Sequence, residues 1–82
     1  MGKIILWSNE KNEILKKTRG ICFEDVLSSE IIDDLEHPNK EKYPNQRIMI
    51  VEIDGYPYVC PYIENKNEIF LKTLFPDRRY KK

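Results

Sequence analysis

The spacing of apolar positions changes partway along the chain, dividing it into a helical first half and a β-rich second half. Lys3 to Trp7 is a short run of β-favouring residues that predicts a first strand. Ser8 and Asn9 follow as two candidate N-caps for a polar helix. Gly20 should end that helix, since glycine accepts the left-handed C′ conformation, and Lys16, Lys17 and Arg19 complement the negative end of the dipole. Ile14 and Leu15, with Thr18, form its expected apolar stripe. From Phe23 to Ser29, Phe23, Val26 and Leu27 fall at i, i+3 and i+4 behind an early Glu24 and Asp25, which predicts a second short helix. Glu30 to Glu36 fits either a helix end or an extended segment, and the extended form is preferred. His37 to Gln46, with Pro38, Asn39, Pro44 and Asn45, is a loop.

Beyond the loop the pattern alternates. Arg47 to Ile53 sets Ile48, Ile50 and Glu52 against Met49, Val51 and Ile53, and runs into Asp54-Gly55, the pair favoured in a two-residue type I′ hairpin. Tyr56 to Glu64 is the returning strand, and a turn at Asn65-Lys66-Asn67 leads to a last strand from Glu68 to Phe75. Pro57 and Pro61 share parity, so both remove a ladder N–H facing the same neighbour, and a bulge or sparse pairing is expected there. Pro76 ends the strand. The expected architecture is one α+β domain, residues 1–82, with a short N-terminal strand and two helices packed on a C-terminal antiparallel meander. Its expected core is Phe23, Val26, Ile48, Ile50, Val59, Ile63, Phe70 and Leu74, joined by Trp7.

Charge adds one local feature. Lys plus Arg and Asp plus Glu balance at 14 each, so the molecule has no overall field that would draw it to nucleic acid or an anionic membrane. The segment from Leu71 to Lys82 nevertheless holds Lys72, Arg78, Arg79, Lys81 and Lys82 against Asp77 alone. The apolar run Ile4 to Trp7 is shorter than a signal h-region of about 7 to 15 residues, and a cytoplasmic protein is expected. Cys22 and Cys60 have no second Cys or His at metal-ligand spacing and read as reduced thiols, with a single disulfide as the alternative. No cofactor is expected.

The string from Trp7 to Val26, WSNEKNEILKKTRGICFEDV, resembles the opening of BrnT-like toxins: a polar start, a Lys-containing helix, a basic-Gly-hydrophobic turn, then Phe-Glu. The second half is similar in layout, with a polar loop ending in Gln46-Arg47, a strand pair, a strand at Ile69 to Leu74, and closing basic residues. Typical members carry an Arg-rich final strand, whereas IFLKTLFP keeps only Lys72. The resemblance implies a RelE-like fold and a toxin of a type II toxin-antitoxin system, an endoribonuclease that inhibits translation. It also implies RNA as substrate, either free or on the ribosome, and a cognate antitoxin, often of the ribbon-helix-helix type.

RNA is cleaved without a metal when its 2′-OH attacks the adjacent phosphate, so an enzyme need only position the strand, move two protons and stabilise the phosphorane. Lys72, Arg78 and Arg79 are the candidate cations, on or just after the last strand. His37 is the side chain with an ordinary pKa nearest neutrality and the candidate for proton transfer; stabilising its own turn is the plainer role. Glu36, Glu41 and Glu52 are alternative bases. Tyr58, Tyr62 and Tyr80 are candidate stacking platforms for bases, with packing against the helices as the alternative for Tyr58 and Tyr62. Arg47 could reach phosphate or hold an acidic group. A second hypothesis is a non-catalytic interaction module of the same fold, binding protein through Tyr and Arg; a third is a small regulator.

Overall fold

The computed structural model describes residues 3–81. Strand β1 (Ile4–Trp7) leads into helix α1 (Asn9–Arg19), where Ser8 accepts the Lys11 N–H at 3.3 Å as N-cap. Gly20 ends α1 at φ 67°, a left-handed conformation that a Cβ would strain. Helix α2 (Phe23–Ser28) stops one residue short of the expected end. Strands β2 (Glu30–Glu36), β3 (Gln46–Ile53), β4 (Tyr56–Glu64), β5 (Glu68–Leu71) and β6 (Phe75–Pro76) follow, and a 3₁₀ turn spans Arg78–Tyr80. Lys82, counted above in the basic segment, lies outside the described residues.

The strands form one mixed sheet in the order β1-β5-β4-β3-β2, with β6 also paired to β4. The fold is therefore α+β, as the sequence implied. β2, β3, β4 and β5 are antiparallel neighbours, while β1 crosses to the far edge and pairs parallel with β5. Asp54 and Gly55 have φ of 53° and 77°, so the β3–β4 hairpin turns as type I′.

The prolines explain the one strand that was expected whole and is not. Pro57 and Pro61 accept from the N–H groups of Asp77 and Lys72 at 3.1 and 2.8 Å, so their backbones face β5 and β6 and leave the β3–β4 ladder continuous. On that outer side each proline has a carbonyl but no N–H, and the expected strand Glu68–Phe75 breaks between Leu71 and Phe75. β2, which fitted two readings, is an extended edge strand with a bulge between Ile31 and Asp33.

Both faces of the sheet are apolar at its centre. Between the helices and the sheet lie Leu15, Ile21, Phe23, Val26, Met49, Val51, Ile53, Cys60, Tyr62, Leu71 and Leu74. On the opposite face Ile48, Ile50 and Val59 are covered by Leu35, Phe75 and Tyr80. The alternation read along β3 thus has no solvent face until Glu52. Ile63 and Phe70, expected in the core, are half-buried. Ile14, Thr18 and Leu27 point outward; of the expected stripe of α1 Leu15 is buried, and Asn12 joins it there.

Asn12 is buried because it joins the helices. Its Nδ2 donates to Glu24 Oε1 at 2.7 Å, and its Oδ1 accepts the Phe23 N–H at 2.7 Å, satisfying one of the donors a helix start leaves free. The first bond holds the Glu24 carboxyl below the usual range. Asn12→Ala should lower the unfolding free energy by about 1–3 kcal/mol, because the Phe23 amide is left buried and unpaired. Urea unfolding of the two proteins checks this, and a loss within about 0.5 kcal/mol would show that the amide finds water instead.

Candidate phosphate-binding pocket

On the sheet face away from the helices, the loop after β2 and the segment after β6 meet over β3 and β4. Between them is a pocket of about 150 Å³ with Ile48, Val59 and Phe75 in its apolar lining and His37, Asp77, Arg79 and Tyr80 as its polar and aromatic groups. Three of the sequence candidates, His37, Arg79 and Tyr80, are therefore neighbours although about half the chain separates the first from the others.

His37 is set by its own loop. The Asn39 N–H donates to its Nδ1 at 3.0 Å, and the ring lies 4.7 Å from that of Tyr43. With Nδ1 accepting, the proton of the neutral imidazole is on Nε2, which is then a hydrogen-bond donor toward a ligand. The turn role and the site role are compatible, but a general-base role for the neutral ring is not what this geometry offers.

Arg79 is set by Asp77. Its Nε lies 3.0 Å from both carboxylate oxygens and its Nη2 2.6 Å from Oδ2, while the Arg79 N–H caps the turn onto Oδ1 at 3.0 Å. These bonds hold the Asp77 carboxyl below its usual range and raise the guanidinium further. The fork is fixed in direction yet 77% exposed, so its remaining N–H groups are open to an anion. Asp77 was not anticipated; an Asp two residues before Arg79 is the Asx-turn signal that would have found it. Tyr80 packs its ring on the second-face core and also borders a neighbouring pocket with Glu30, Glu52 and Lys81, which sets carboxylates beside the basic site.

The other candidates are elsewhere. Lys72 leaves β5 with its Nζ 5.8 Å from the Phe70 ring centroid, and Arg78 is exposed in the 3₁₀ turn; neither lines the pocket. Tyr58 packs on the main core beside Tyr56. Tyr62 is 3% exposed under the helices, so neither ring offers a base a free face on the pocket side. Burial, then its hydroxyl's bond to Asp34, pushes Tyr62 up to about 12. Its hydroxyl donates to Asp34 at 2.6 Å, and Arg47 Nε donates to the same carboxylate at 3.1 Å, so Arg47 holds an acidic group of its own chain. Of the alternative bases, Glu36 is paired with Lys40, and Glu52 faces the neighbouring pocket. Cys22 and Cys60 are free thiols. Among the described residues no three His, Cys, Asp or Glu side chains are grouped to hold a metal ion, and no helix is long and apolar enough to cross a membrane.

Fold and site together define a small α+β protein with an imidazole, a guanidinium and an aromatic ring around an apolar floor on the helix-free face of its sheet. No protein family, characterised protein or solved structure was found to match the chain.

Proposed function

We propose that the chain is a RelE-like, BrnT-type toxin, a metal-independent endoribonuclease held in check by a cognate antitoxin, and that it grips RNA at the His37–Arg79–Tyr80 pocket. The observation that carries this reading is the convergence of those three side chains on one small concavity. The order of elements supports it too, with a strand and two helices ahead of an antiparallel meander.

In this mechanism the 2′-oxygen bonds to phosphorus and gives its proton to a water molecule, while the bond from phosphorus to the 5′-oxygen breaks and that oxygen takes a proton from water. Charge builds on the non-bridging oxygens of the phosphorane. Arg79, aimed by Asp77, takes one such oxygen with the N–H groups Asp77 leaves open, and His37 Nε2–H donates to another. The Tyr80 ring edge borders the adjoining base. Lys72, Arg78 and Lys81 lie outside this grip and strengthen it through their charge alone.

Inducible expression in a bacterial host tests the reading, with growth and cellular RNA integrity as readouts. The wild type should arrest growth and fragment RNA. Arg79→Ala should cut the rate on an RNA oligonucleotide in EDTA about 10- to 100-fold, the value of a charged hydrogen bond to a phosphate. A wild type that leaves both growth and RNA intact would remove the nuclease reading.

A second reading, a non-catalytic interaction module, is favoured by the Arg79–Asp77 pair itself. Asp77 already occupies two of the guanidinium's nitrogens and places a carboxylate where a phosphate would approach.

A further inference from the structure

We infer that the outer edge of β1 pairs with a second copy of this chain, as an antiparallel ladder about a twofold axis centred on Ile5. This assignment is independent of the RNA reading, because β5 separates β1 from the strands that floor the pocket.

The two edges of the sheet differ in kind. β2 carries Glu30, Asp33, Asp34 and Glu36 and a bulge at Ile32, features that keep foreign strands off an edge. β1 has none of them. Ile4, Ile5 and Leu6 are 61%, 39% and 39% exposed, and no charged residue stands between Ile4 and Trp7. Among the described residues only β5 pairs with it.

Backbone direction specifies the register. The Ile4 N–H donates to the Asn67 carbonyl at 3.0 Å, so alternation along the strand turns the Ile4 and Leu6 backbones toward β5 and those of Lys3, Ile5 and Trp7 outward. A twofold axis normal to the sheet keeps the helix-bearing faces of both copies on one side, and residues set opposite must then share parity. Centred on Ile5, the ladder lets the two Ile5 residues exchange both hydrogen bonds and joins Trp7 of each copy to Lys3 of the other. Ile4 then packs against Leu6 of the second copy on the face away from the helices, where Phe70 already flanks Leu6.

Charge argues for a copy of the same chain as the occupant. An uncharged apolar edge is matched by another such edge, and the molecule's balanced charge lets two copies meet without net repulsion. The flanking Lys3 is paired with Glu64 at 3.0 Å and brings no unmatched charge to the junction.

Sedimentation equilibrium of the full chain from about 1 to 500 µM tests the pairing, since a dimer's population depends on concentration. The average mass should rise from 9.9 kDa toward twice that value. Ile5→Pro deletes an outward N–H that β5 does not use, and Ile4→Lys puts a cation on the exposed edge; each should weaken association about tenfold or more. Amide exchange at Ile5 and Trp7 should slow as concentration rises, a readout that needs no variant. A mass that stays at 9.9 kDa overturns the inference and leaves the edge to a strand of another protein, and a dimer unchanged in both variants overturns it as well.

Discussion

Phe23→Ala is expected to lower the unfolding free energy by about 3–5 kcal/mol, the range for emptying a closed aromatic site. Phe23 is fully buried where α2 begins, between the helices and the sheet, and its ring stacks on Trp7 at 5.7 Å. A chain of 82 residues has a total stability of roughly 4–12 kcal/mol, so this one change should leave a protein only marginally folded. The sole tryptophan sits against the site, and its fluorescence will report both the cavity and the unfolding midpoint in urea. Phe23→Leu should recover most of the loss. A cost below about 1 kcal/mol for the alanine variant would mean that the helices do not close over the sheet as described.

Alkaline pH should act on the same core. Burial pushes the Cys60 thiol from 9.0 up to about 12, and burial followed by the bond to Asp34 takes the Tyr62 hydroxyl from 10.0 to about 12. Both groups stay protonated in the folded protein at pH values where the unfolded chain has released those protons. The folded state therefore binds more protons through that range, and stability falls as pH rises. The contribution is complete below about pH 9 and is lost between about pH 9 and pH 12, amounting to roughly 4 kcal/mol for Cys60. Urea unfolding from pH 7 to pH 11 should show the decline for the wild type, a shallower one for Cys60→Ala, and a flatter profile above pH 10 for Tyr62→Phe. Identical slopes in all three proteins would mean that neither group is buried as the fold places it.

Local chemistry was legible at several caps and turns, though the turn that Asp77 makes with Arg79 was missed. Ser8 and Gly20 bound α1, Asp54-Gly55 makes the type I′ turn, and the shared parity of Pro57 and Pro61 announced the defect on one side of β4. The place of β1 was not legible, because strand choice at the far edge is settled by which side of β5 remains open. For the same reason the tyrosines of β4 were ambiguous: Tyr58 and Tyr62 share a face with Cys60, and only the position of the helices decides that this face is the covered one.

What the sequence determined by itself is most of the elements, the ends of α1, the β3–β4 turn and the α+β class, since each depends on backbone preferences and on apolar spacing within one segment. Tertiary structure alone decided which candidates meet. His37 and Arg79 share a pocket, whereas Lys72 and Arg47 are directed elsewhere, because strand order and sheet face are settled by burial of the whole apolar surface and leave no trace in any one segment.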